Sequence, residues 1–152
     1  MIGITLTYSV WTITTPKWSF LVSTDKSTYR LGEDVNITVV LKNLGFITHS
    51  FKSRVSNPVV VDVEYQYAEN PTITSQVWYS PYHYNITEFS IKSNQSLERI
   101  FIWNQTNIHL GGEVEVGNYL VRAFIPSADS TIPISEDSLF LAWTSINITS
   151  PE

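Results

Sequence analysis

Five asparagines, Asn36, Asn85, Asn94, Asn104 and Asn147, stand in the pattern Asn-x-Ser/Thr, in which the side-chain amide nitrogen can carry an N-linked glycan. Ten asparagines among residues that are about 22% Ser plus Thr would give about two such patterns by chance, so five is an excess. Other chemistry has less behind it. His49, His83 and His109 lie far apart and in no zinc-ligand spacing such as His-x3-His. Carboxylates pair at Glu33-Asp34 and Glu136-Asp137 and stand two apart at Glu113 and Glu115, without the Asp-x-Asp-x-Asp order of a calcium loop, so solvated turns are expected there. The sequence has no Gly-x-Ser-x-Gly elbow and no glycine loop to cradle a phosphate. Cysteine is absent, which excludes disulfides, thiolate zinc sites and thiol catalysis. No catalytic residue, metal or cofactor is therefore expected, only N-linked glycans.

Aromatic residues concentrate at Trp78, Tyr79, Tyr82, His83 and Tyr84, five rings in seven positions. Such rings can stack on sugars or anchor a protein partner. Trp78 is expected in the core, whereas Tyr82 and Tyr84 could cap the sandwich end or face a partner.

The elements that must position these groups are strands. Residues 34–43 alternate, with Val35, Ile37, Val39 and Leu41 on one face and Asn36, Thr38, Val40 and Lys42 on the other. That is the pattern of a half-buried strand, and it turns Asn36 toward solvent. Further strands are expected over residues 18–23, 46–55, 59–67, 75–79, 87–91, 97–103, 119–125 and 138–148, the last apolar on both faces. Asn70-Pro71 marks a turn within 68–72, and residues 126–137 form a Ser/Pro/Asp-rich connection. No segment reads as a helix. Eight to ten short strands at regular spacing point to an all-β fold, an immunoglobulin-like β-sandwich.

Residues 1–16 are different. They carry no charge, and Ile2, Ile4, Leu6, Tyr8 and Val10 alternate with Gly3, Thr5, Thr7 and Ser9. A nine-residue period of two is a strand signal, yet it precedes what reads as the opening of the sandwich at Tyr29 to Glu33. A surplus apolar strand best completes a neighbour's sheet. The expected organisation is a donor strand and hinge over 1–16 and one sandwich domain over 17–152.

Charged residues make up 15% of the chain, and the net charge of −5 with nine scattered Lys and Arg argues against a nucleic-acid partner. No run reaches transmembrane length. The N-terminus lacks the pattern of a signal peptide, so an exported chain would be a mature or truncated form.

From about residue 18 to residue 125 the order of features resembles the intracellular proteinase inhibitors of bacilli, the BsuPI family. The matching pieces are Tyr29 with Gly32-Glu33, Asn43, Val77-Trp78, the run from Ser96-Leu97 to Trp103, and the run from Gly117 through Tyr119 to Ala123. Val116 and Asn118 replace two residues of that family's Pro-Gly-Thr-Tyr strand opening. The resemblance implies the sandwich fold and carries over no inhibitory residue. The uncovered features, an alternating arm, a Cys-free sandwich and many sequons, are similar to subunits of archaeal surface filaments called threads. That similarity implies glycosylated extracellular domains joined head to tail by donor strands, with self as the partner. The alternatives are a BsuPI-like inhibitor or protein-binding module, in which residues 1–16 fold back as an edge strand of their own sandwich, and a stalk domain at the cell surface or in an S-layer assembly; the sequence leaves pairing within one chain or between chains open.

Overall fold

A computed structural model describes residues 17–128 and 138–151. Ten strands run in chain order: β1 Trp18–Thr24, β2 Thr28–Arg30, β3 Val35–Asn43, β4 His49–Val55, β5 Val60–Gln66, β6 Thr74–Tyr79, β7 Tyr84–Ile91, β8 Ser96–Trp103, β9 Gly117–Pro126 and β10 Ser138–Thr149. No helix occurs among the described residues. They form a three-stranded sheet β1-β3-β8, a five-stranded sheet β2-β10-β9-β5-β6 and the pair β4-β7. Every pairing is antiparallel except β10 with β2. The result is an immunoglobulin-like β-sandwich.

Alternation dictates the core. Val35, Ile37, Val39 and Leu41 of β3 meet Val61, Val63, Tyr119, Val121, Ala123, Ile125, Ile146 and Ile148 of the second sheet in one apolar cluster. The large rings close the end of the sandwich where β8 finishes and β9 starts. Trp103 is fully buried with its ring centroid 5.5 Å from that of Tyr119, and its indole N–H donates to the Thr106 carbonyl. Beside it the side chain of buried Gln105 accepts from the Gly32 N–H and donates to the Arg30 carbonyl, satisfying main-chain groups of the turn after β2.

The opposite end depends on Asn43. Its buried amide donates to the carbonyls of Ile47 (2.8 Å) and Ile91 (3.0 Å), and its oxygen accepts from the Gly45 N–H (2.9 Å). One side chain thus ties the end of β3 to the loop before β4 and to the end of β7. Trp18, Phe20, Phe51 and Phe140 meet ring against ring near this end, and Phe51 stacks on Phe89.

The strand expectations hold in type and place. Three points differ. The short β2 was expected only as an opening motif, and it forms because it pairs in parallel with Asn147, Ile148 and Thr149. β7 starts at Tyr84, three residues earlier than expected, and β4 at His49, three residues later. β5 is buried on both faces, because Val60 packs with Val55 and Phe124 outside the sheet while Asp62 and Glu64 bind Arg122. Residues 1–16, with the expected donor-strand positions Ile2, Ile4, Leu6, Tyr8 and Val10, lie outside the described residues, as do Glu136 and Asp137.

Candidate assembly and glycan-bearing surfaces

Four of the five sequon asparagines are exposed. Asn36 is the second residue of β3, on the outer face next to Ile102 of β8, and its side-chain amide donates to Asp25 Oδ2 at 3.3 Å. Asn85 projects from β7, and Asn94 occupies the turn before β8 in the left-handed region at φ 59°. Asn104 follows β8, with its carbonyl oxygen accepting from the Thr106 hydroxyl of the same sequon at 2.7 Å.

Asn147 departs from this pattern. It is half-buried, and its amide nitrogen donates to both the Gly117 carbonyl (3.3 Å) and Asn118 Oδ1 (2.8 Å). The sequon's hydroxyl residue, Thr149, donates to the Tyr29 carbonyl. Both groups of this motif serve the β10 junction with β2 and β9.

β10 carries a second surface. Its even-numbered residues Phe140, Ile146 and Ile148 point into the core. On the outer face Leu139, Leu141 and Trp143 are 43%, 49% and 63% exposed, a row of large apolar side chains along one strand. β2 pairs with β10 only at residues 147–149. Among the described residues no strand pairs with residues 138–146 on the side away from β9. The whole of β10 is without charge, so this edge lacks the lysines and prolines that usually blunt exposed edges. The sequence showed an apolar strand and left unseen that one edge and one face are open; apolarity on both faces was the available signal.

Beside Trp143 in the register lies Arg122 of β9, and beside Arg122 lies Asp62 of β5. The guanidinium donates to both Asp62 oxygens (Nε to Oδ1 2.9 Å, Nη2 to Oδ2 2.6 Å) and pairs with Glu64. Asp62 is only 1% exposed and also accepts from the Gln76 amide. The paired carboxylates hold the Arg122 guanidinium above its ordinary range.

The aromatic run, for which only Trp78 had an expected place, divides in three. Trp78 is half-buried against the core, Tyr82 is half-buried against Val55, Val60 and Phe124, and Tyr84 is 72% exposed. Tyr79, Tyr82 and Tyr84 form a chain of ring contacts at 6.0 and 5.6 Å. A cleft of about 240 Å³ opens at the opposite end of the sandwich, lined by Tyr65, Tyr67, Leu110, Glu113, Glu115 and Tyr119. Its most enclosed polar group, the Tyr119 hydroxyl, is committed to the Glu115 carbonyl. Glu113 and Glu115 are exposed, as solvated turns require. Among the described residues no three His, Cys, Asp or Glu converge on a metal position. His49 lies in β4 against Trp18, and His83 and His109 belong to separate loops. No helix among the described residues is long and apolar enough to cross a membrane.

No family model and no curated protein matches the chain. Solved structures similar to it include a β-glucosidase from Erythrobacter marinus, 13% identical with a TM-score of 0.52, over 88% of this chain and 16% of that one. Two others are a β-glucosidase from Listeria innocua (14% identity, 88% of this chain and 16% of that one, TM-score 0.47) and the CARDB domain of a Pyrococcus furiosus protein (12% identity, 90% and 91%, TM-score 0.47). The first likeness is one of fold alone, because the chain spans about one-sixth of that enzyme. The fold defines the chain as an immunoglobulin-like β-sandwich domain.

Proposed function

We propose that the chain is a structural subunit of an extracellular glycosylated filament, polymerising head to tail as each copy gives its N-terminal strand to the next. The observation that carries this reading is the uncharged, strictly alternating run over residues 2–10, which precedes a set of described strands that pack together in one apolar core. Ile2, Ile4, Leu6, Tyr8 and Val10 are five apolar side chains on one face of that run, and the reading places them on a neighbouring copy. Their burial on a neighbour would contribute on the order of 10 kcal/mol before ordering costs. A contact of this kind joins unlike surfaces, does not close by symmetry and propagates as a fibre. Exposed sequons at Asn36, Asn85, Asn94 and Asn104 suit a secreted surface with few charges, and the similarity to archaeal threads points the same way. The reading assigns no catalytic step and no cofactor beyond glycans.

Sedimentation velocity of the full chain tests it. A concentration-dependent series of oligomers is expected, and a lone monomer at all concentrations would overturn it. A second reading, a protein-binding module, draws on the exposed rings of Tyr79 and Tyr84. It is the reading a strictly monomeric chain would leave standing.

A further inference from the structure

We infer that the acceptor for residues 2–10 is the open edge of β10 on a second copy, over residues 138–146. This inference rests on the self-assembly reading above and names the surface it uses. β2 occupies the lane beside β10 at residues 147–149; along 138–146 no described strand pairs with β10 in that lane, and β1 of the other sheet runs close alongside without a ladder. The vacant stretch is nine residues long, as is the alternating run from Ile2 to Val10. At strand rise both span about 30 Å.

The chemistry of the two strands matches. Neither contains a charge, so neither must desolvate an ion to pair. On the inner side of the lane the rings of Trp18 and Phe20 already pack on Phe140, at 5.5 and 5.7 Å. The small row Gly3, Thr5, Thr7 and Ser9 suits that filled side. The large row Ile2, Ile4, Leu6, Tyr8 and Val10 then lies on the outer face and extends the band of Leu139, Leu141 and Trp143. Main-chain hydrogen bonds along the lane supply affinity, and this side-chain parity supplies register.

Other edges fit less well. β8 has charges at Glu98 and Arg99, β4 and β7 carry Lys52, Arg54 and Glu88, and β6 and β1 offer only six and seven residues. The N-terminal segment enters the domain at Lys17, whose carbonyl accepts from the Leu44 N–H at the end where β3 finishes. Sixteen residues outside the described structure leave the nine-residue strand and a six-residue hinge, residues 11–16, to reach the next copy.

The absence of native cysteine makes disulfide mapping direct. Full-length single variants Ile4→Cys, Leu6→Cys and Tyr8→Cys are each mixed with Trp143→Cys or with Ile100→Cys, and oxidised. Ile100 is a comparably exposed apolar residue on the other sheet. At least one arm position should give tenfold more disulfide-linked dimer with Trp143→Cys than with Ile100→Cys. The double variant Leu6→Cys/Trp143→Cys should yield a ladder of covalent oligomers. Cross-linking that favours Ile100→Cys, or none while the chain still assembles in sedimentation, overturns the β10 assignment and spares the assembly reading. A purely intramolecular disulfide in the double variant shows the arm folding on its own domain and overturns donation to a second copy. A chain that neither cross-links nor sediments as oligomers removes both.

Discussion

The Tyr119 hydroxyl donates to the main-chain carbonyl of Glu115, four residues earlier, closing the corner where the 104–116 connection enters β9. This is the tyrosine corner of immunoglobulin-like sandwiches. The ring packs between Trp103 and Tyr65, and burial pushes its phenol well above the ordinary range. Tyr119→Phe keeps the packing and deletes the hydrogen bond. It should cost about 1 kcal/mol, read as a lower urea midpoint with unchanged slope.

The Arg122 pair with Asp62 and Glu64 predicts a larger effect. Arg122→Leu leaves two enclosed carboxylates without their cation, and the loss should be about 3–5 kcal/mol. Adding Asp62→Asn and Glu64→Gln removes the stranded charges and should recover part of that loss in the same denaturation experiment.

Acid sensitivity has a definite sign. The Tyr29 hydroxyl and the Asn36 amides hold the Asp25 carboxyl below its ordinary range, and the Arg30 N–H and Lys26 do the same for Glu33. Both groups have folded-state values below the unfolded ones, so their stabilisation is present above about pH 4 and lost as pH falls through the folded values. Asp25 is exposed and Glu33 is half-buried with its carboxylate reaching solvent, so the effect is modest. Asp25→Asn/Glu33→Gln should flatten the decline in melting temperature between about pH 5 and pH 3; a decline as steep as that of the parent would refute this assignment.

Glycan occupancy should follow the amide geometry. Mass spectrometry of the native protein should find glycan on at least three of Asn36, Asn85, Asn94, Asn104 and Asn147, with Asn147 the least occupied. A glycan there would replace one of two amide hydrogens already committed to Gly117 and Asn118. Bare asparagines at all five would argue for a setting without glycosylation and weaken the filament reading.

Much of the sandwich was legible because alternation reports burial wherever one face of a strand meets water, as in β3 with Val35, Ile37, Val39 and Leu41 inside. Asn36 was placed outward by the same parity and lies there. Alternation is silent when both faces are covered or both are apolar. For that reason β5 concealed its partners Arg122 and Phe124, and β10 concealed its open edge. The three residues of β2 are too few for a period and exist through pairing with distant β10. Asn43 and Gln105 were beyond reach for a related reason. Their roles are long-range bonds to main-chain groups, which no local spacing encodes.

The central claim, that the N-terminal strand belongs to a neighbouring copy, is tested most directly by Leu6→Asp in the full chain, observed by electron microscopy and circular dichroism on the same sample. A carboxylate at this position forfeits the burial of Leu6 and sets a charge in the apolar band formed with Leu139, Leu141 and Trp143 of the neighbour, a cost of about 2–3 kcal/mol that reduces association roughly thirty- to a hundredfold at each joint of a filament. The account predicts filaments from the parent chain and none from Leu6→Asp, which keeps its β-sheet signal. Filaments that survive the substitution, or a monomer that unfolds because of it, would contradict donation to a neighbour.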